Sequence, residues 1–295
     1  RLKRIQRETV GISMKQTEKR GDNYIYAYYQ QIKNGSCVVG RWVRLIYEYL
    51  ITQIDAGVLI FDNKRANDAV DWMETHCFHT KGPLAPGPVR LELWQKAMIS
   101  AIYGVLDQTG KRQFCEVLLV VARKNGKSQI AAGCGNFAFR IDGGYGADVF
   151  CLAPKLEQAN IVYNNIWQMI TIDPEYIKAK EKLDERDAHN KKIHDDSMLP
   201  RHRQTELAIP GTNSSVKKIA FSAKKSDGFN PSLCICDEIA AWEGDKGLKQ
   251  YEVMKSGMGA RPDGILLSCT TSGYVNDSIY DELMKRATRF LLGDS

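Results

Sequence analysis

The chain has 295 residues, 43% of them apolar and 9% aromatic, and a formal net charge of +6. These proportions are those of a globular protein large enough for one α/β domain with an added segment, or for two domains. No apolar run approaches the ~20 residues needed to cross a bilayer, and the basic start Arg1-Leu2-Lys3-Arg4 has no apolar core behind it to make a signal peptide.

Residues 1 to about 20 are basic and polar without apolar periodicity, which predicts a flexible end or an arm that orders on a partner. Tyr24, Tyr28 and Tyr29 then fall near helical spacing over 22–32, giving a packed helix face or, alternatively, a surface on which bases could stack. Trp42, Leu45, Ile46, Tyr49 and Leu50 recur at the spacing of an amphipathic helix over 41–53, and a further helix is predicted over 64–75. The proline-rich stretch Pro83, Pro86, Gly87 and Pro88 marks a boundary, so 1–82 reads as an N-terminal helical segment.

Leu91-Glu92-Leu93-Trp94-Gln95 opens the next helix, about twenty residues ahead of a buried strand over 115–122. A glutamine there can read adenine, because its amide both donates and accepts; Trp94 beside it is a second candidate contact. The strand stops at Arg123-Lys124-Asn125-Gly126-Lys127-Ser128, and helix-forming residues follow from Gln129. A buried strand, a polar turn carrying Gly-Lys-Ser and a helix together form the setting of a phosphate-binding loop. The backbone of Arg123, Lys124, Asn125 and Gly126, and Gln129 behind them, are then nucleotide contacts. Lys127 would reach the β- and γ-phosphates, and the Ser128 hydroxyl would bind Mg²⁺. The glycine that usually opens such a loop is Val121 here.

A strand over 147–153 and a helix from Pro154 to about Ile170 come next. Residues 173–204 are dense in charge, which reads as a solvated excursion or a DNA-facing loop. Alternating stretches at 206–209 and 216–221 flank Pro210-Gly211-Thr212-Asn213 as a hairpin. Leu233-Cys234-Ile235-Cys236 is another buried run, and it ends in Asp237-Glu238. Beside a phosphate loop, such an aspartate serves Mg²⁺ and the glutamate polarises the attacking water. A helix over 246–257 precedes a last buried strand, 264–273, ending in Thr270 and Thr271, hydroxyls that could sense a γ-phosphate; a final helix is predicted over 281–292.

Eight cysteines invite a metal or disulfide reading. Most of them lie in apolar strand-like runs, where cysteine acts as a small hydrophobe. His76-Cys77-Phe78-His79 is the best metal candidate, but no partner pair follows at finger-like spacing.

Five pieces taken together resemble one family, the large terminase subunit of tailed double-stranded DNA phages. They are Leu91 to Lys96, Ala122 to Ser128, Ser222-Ala223 through Asp227-Gly228, Asp237-Glu238, and Ser268 to Gly273. The resemblance implies a mainly parallel α/β sheet of the P-loop NTPase type shared with RecA-like and helicase motors, covering 83–280, with 281–295 starting a linker. It implies ATP and Mg²⁺ as ligands, Glu238, Arg123 and Lys127 as catalytic residues, Gln95 at adenine, Ser128 and Asp237 at the metal, and Thr270 and Thr271 in coupling. A basic residue supplied to a neighbouring subunit would be Lys224, Lys225 or Arg261.

The partners so implied are double-stranded DNA, other copies in a ring (a pentamer on the portal), the portal protein and the small terminase subunit, in the cytoplasm of an infected bacterium. Because the chain stops at Ser295, where a nuclease domain would be joined, ATP hydrolysis without DNA cleavage is expected of it. A helicase-like ATPase and a non-hydrolysing nucleotide-binding scaffold are the alternatives.

Overall fold

A computed structural model describes residues 23–190, 198–220, 229–242, 244–273 and 278–293. The predicted N-terminal arm therefore lies outside the described residues.

Three helices come first: α1 (Tyr24–Lys33), α2 (Arg41–Asp55) and, after a short strand β1 (Ile60–Phe61), α3 (Asn63–His76). The tyrosine stripe is a packed face, with Tyr28 meeting Tyr47 of α2 edge-on at 4.9 Å between ring centroids. Helix α4 (Leu93–Gly104) runs into β2 (Val105–Leu106), which pairs antiparallel with β1. Ile25, Tyr28, Ile32, Leu50 and Ile51 form one apolar cluster with Ala97 and Val105. Ala69, Val70 and Met73 of α3 belong instead to the main core beside the sheet. Helices on either side of the Pro83 to Pro88 stretch thus pack into common apolar clusters.

The large sheet contains β3 (Glu116–Val120), β4 (Asp148–Ala153), β5 (Arg201–His202), β6 (Glu206–Ile209), β7 (Ser214–Ala220), β8 (Leu233–Asp237) and β9 (Ile265–Thr270). Their order is β3-β9-β8-β4-β7-β6-β5. The strands from β3 through β7 are parallel, and β6 and β5 close the far edge antiparallel. Side chains alternate along each strand. Ile235, Leu267 and Val149 therefore face α5 (Lys127–Phe137) and α6 (Leu156–Ile172), while Cys234, Cys236 and Leu266 face α8 (Gly244–Gly257) and α9 (Ile279–Leu292). The result is helices on both faces of a mainly parallel sheet, as expected.

One segment differs from the predicted elements. Within the charge-rich stretch, α7 (Pro174–Asn190) is a helix, started by Asp173, whose carboxylate accepts from the Glu175 N–H at 3.0 Å. Its charges hid the weak apolar period of a helix that, among its described side chains, buries Tyr176. The final helix predicted over 281–292 is α9, which starts two residues earlier and buries Ile279, Tyr280 and Leu283 in the second core. Its start is fixed by a capping box between Ser278 and Asp281.

Candidate nucleotide site

Parallel strands put their carboxyl ends on one edge of the sheet, so the turns after β3, β8 and β9 meet there. β9 lies between β3 and β8 and sets their spacing: Val120 stands opposite Thr270, and Asp237 opposite Cys269. The loop after β3 is anchored at once, because the Val121 N–H donates to the Thr270 carbonyl at 3.1 Å. Lys124 (φ 66°) and Gly126 (φ 76°) then adopt left-handed conformations, a backbone that turns N–H groups toward the concave side. Glycine takes that conformation without steric cost, and at 126 a Cβ would also lie 3.4 Å from Gln95 Nε2. The Asn125 amide braces the loop by donating to the Ala122 and Arg123 carbonyls at 3.2 and 3.3 Å. Helix α5 starts at Lys127, so its unpaired N–H groups and dipole face the loop.

The two halves meet at Lys127. Its ammonium contacts the Glu238 carboxylate directly and lies 3.4 Å from Asp237 Oδ1. Asp237 is 5% exposed, and burial pushes its carboxyl above the usual carboxylate range; Lys127 pulls it back and Glu238 pushes it up again. One ammonium therefore does not neutralise the two carboxylates. A partly buried, under-neutralised pair of hard oxygen donors, facing the start of α5 where Ser128 follows Lys127, fits Mg²⁺, which takes one or two protein oxygens and completes its shell with phosphate and water. Among the described residues no cluster of three or more His, Cys, Asp or Glu side chains is placed to hold a metal by itself. His76-Cys77-Phe78-His79 is used otherwise. His76 Nδ1 sits 3.0 Å from Asp173, and Cys77 is a buried thiol pushed up to about 12 by its burial.

A model of the family described as "Terminase large subunit, ATPase domain" matches residues 93–289 of this geometry. The chain belongs to that family. Among its relatives is the large terminase subunit of Enterobacteria phage HK97, 26% identical over 216 residues that cover 72% of this chain and 38% of the relative. The crystal structure of the HK97 large terminase aligns at a TM-score of 0.57 with 21% identity, covering 76% of this chain and 41% of that one. The likeness is one of fold, and this terminase chain spans about two fifths of the length of those relatives.

The terminase site gathers most of the predicted residues and releases others. Gln95 is beside Gly126, but its Oε1 already accepts from the Glu92 N–H at 2.8 Å in a capping box, which leaves Nε2 facing the loop. Trp94 packs against both the main core and the apolar cluster of the N-terminal helices and ties those helices to the sheet. Gln129 turns its amide away, donating to the Phe78 carbonyl at 3.1 Å. Arg123 and Lys124 are exposed. The Thr270 hydroxyl accepts from the Ala240 N–H at 3.2 Å and donates to the Thr271 carbonyl at 2.8 Å, linking the end of β9 to the turn after Glu238.

Arg261, a candidate for donation to a neighbour, lies before β9, at the amino ends of the strands. There its guanidinium donates to Ser232 Oγ at 2.7 Å and to the carbonyls of Gly143 and Gly146. Lys224 and Lys225, and the Ser222 to Gly228 motif, lie outside the described residues. Sequence reading missed Trp242, whose indole bonds the Asp237 carbonyl; its place five residues after a carboxylate pair carries no recognisable local signal.

Proposed function

We propose that this chain is the ATP-hydrolysing motor of a phage DNA-packaging terminase, coupling hydrolysis to translocation of double-stranded DNA into a procapsid. The observation that carries the reading is the meeting of Lys127 with Asp237 and Glu238 at the carboxyl edge of the sheet, in a chain of the terminase ATPase family. Lys127 would exchange its carboxylate contacts for the β- and γ-phosphates, and the N–H groups of 123–128 would line the phosphate chain. Asp237 and Ser128 would hold Mg²⁺, which when bound neutralises charge on the phosphates. Glu238, freed from Lys127, would orient and deprotonate the attacking water, a role worth roughly 10²–10⁴ in rate. Gln95 would donate through Nε2 to the base. Arg123, exposed in the loop, and Thr270 with Thr271 would couple nucleotide state to movement; a basic group for the neighbouring subunit would come from Lys224, Lys225 or Arg261.

Its partners would be duplex DNA, further copies in a ring (a pentamer on the portal), the portal protein and the small subunit, in the cytoplasm of the infected bacterium. DNA contact of this kind is mostly to phosphates, so it should be sequence-blind and fall steeply with salt.

The test is phosphate release by the purified chain with Mg·ATP and linear duplex DNA, beside Glu238→Gln. Turnover by the wild type and its loss in the variant, with ATP still bound, supports the reading. Equal near-zero rates would mean a nucleotide-binding scaffold, and strand displacement accompanying hydrolysis would mean a helicase.

A further inference from the structure

Trp242 takes no part in the chemistry described so far, yet it is fully buried (0% exposed) immediately beyond the acidic pair. Its indole Nε1–H donates to the Asp237 main-chain carbonyl at 3.0 Å. The residue between strand and turn, Glu238, has φ 52°, a left-handed conformation that costs a side-chain-bearing residue roughly 1–2 kcal/mol. Such a conformation persists only where its surroundings over-determine it.

Here the constraints are visible. The Ala241 N–H donates to the Glu238 carbonyl at 2.8 Å, and the Trp242 N–H to the Ile239 carbonyl at 3.1 Å, closing a 3-10 turn over Ile239–Ala241. Thr270 accepts from Ala240 on the β9 side. Trp242 is fully buried in the same apolar cluster as Phe150, Leu152, Cys236, Tyr251 and Met254, and close packing there restrains its ring and with it the N–H that meets the carbonyl. In that dry setting a lost donor leaves the Asp237 carbonyl one partner short, and the turn is then free to relax toward an unstrained backbone.

We propose that Trp242 is a positioning residue for ATP hydrolysis: its indole N–H fixes the Asp237 carbonyl and so holds Glu238 in the left-handed turn that aims its carboxylate at Lys127. The inference rests on the hydrolytic reading above and goes beyond it, since that reading gives the buried Trp242 no role.

The experiment compares the wild type with Trp242→Phe, which keeps an aromatic ring in the core and removes the donor. Turnover number, Mg·ATP dissociation constant and thermal midpoint are measured on the same preparations. The expected result is a turnover number lower by roughly 10- to 100-fold, the cost of about an ångström of misplacement, with the dissociation constant within about twofold. Unchanged turnover overturns the inference and leaves hydrolysis standing. So does a loss of nucleotide affinity in step with turnover, because a mere prop for the fold would weaken both. A wild type without turnover overturns the hydrolytic reading and this inference with it. If Trp242→Phe does not fold, replacement of Trp242 by benzothienylalanine, which keeps the bicyclic shape and puts sulfur in place of N–H, is judged by the same three readouts.

Discussion

Lys127 and Glu238, 111 residues apart in sequence, are in direct contact at the carboxyl edge of the sheet. The contact is made by one strand: β9 separates β3 from β8 by a single strand width and leaves both turns opening on the same crevice. A lysine shared by two carboxylates becomes available to phosphate once another cation takes its place.

Lys127→Ala should abolish both ATP binding and turnover, because it removes the ammonium aimed at the phosphates and leaves Asp237 and Glu238 facing each other unpaired. Glu238→Gln should retain binding within a few-fold and lose roughly 10²–10⁴ in turnover. Nucleotide titration and single-turnover hydrolysis on both variants check this, and the reverse pattern would refute the assignment.

Asp237 gives a pH dependence of definite sign. Burial, offset in part by Lys127, raises its carboxyl above 3.8, so the folded chain disfavours the ionised form. Asp237→Asn should therefore raise the thermal midpoint at neutral pH without Mg²⁺, and that gain should vanish as pH falls through the raised value. Hydrolysis needs the ionised form, so the acid limb of wild-type kcat/KM, which reports the free enzyme before Mg²⁺ and nucleotide bind, should lie above the ordinary carboxylate range. A limb at or below that range would sink the argument.

Gly126→Ala tests the loop backbone. With φ 76° and Gln95 Nε2 at 3.4 Å from the new Cβ, the substitution should cost roughly 1–2 kcal/mol in the loop. Read as nucleotide affinity, that is a loss of about fivefold to thirtyfold, measurable by titration; an unchanged affinity would show that the loop does not engage phosphate in this conformation.

Gly104→Ala probes the seam between the N-terminal helices and the rest. A Cβ there would stand 2.6 Å from Ala66 Cβ and 2.9 Å from the Asp62 carbonyl, so α3 and α4 would have to move apart. Overpacking of this kind costs about 1–3 kcal/mol. A lower midpoint in denaturant is expected, with Mg·ATP affinity reduced at most a few-fold, because α4 carries Gln95 at its far end while the phosphate loop and the acidic pair are built on other elements.

Glu116 at the start of β3 ties down α8 and α9. Burial alone would raise its carboxyl, but hydrogen bonds from Arg286 (2.6 Å), Tyr251 (2.7 Å) and Lys255 hold it below 4.5. A depressed acid stabilises the fold above its unfolded value and loses that contribution as pH falls through the folded one. Glu116→Gln should cost about 1 kcal/mol at neutral pH, the partners being partly exposed. The difference from wild type should shrink in melts recorded below pH ~4.5. A constant difference across that range would mean that the charge is not what matters.

Local pattern alone carried the elements whose signal is local. The β-branched run ahead of Gly126-Lys127-Ser128, the alternating hairpin around Pro210 and the apolar run ending in Asp237-Glu238 are all where periodicity and turn chemistry place them. Side-chain type, too, singled out Lys127, Asp237 and Glu238, which the fold brings together. Tertiary structure decided what depends on partners distant in the chain. It settled which strand stands between β3 and β8, that Gln129 serves the Phe78 carbonyl, that Trp94 is core, that Arg261 clamps the opposite edge, and that Trp242 braces the acidic turn. The physical reason is that a hydrogen bond or a packed face is chosen by whatever folding brings within about 3–4 Å, and no periodicity in a single stretch records that choice.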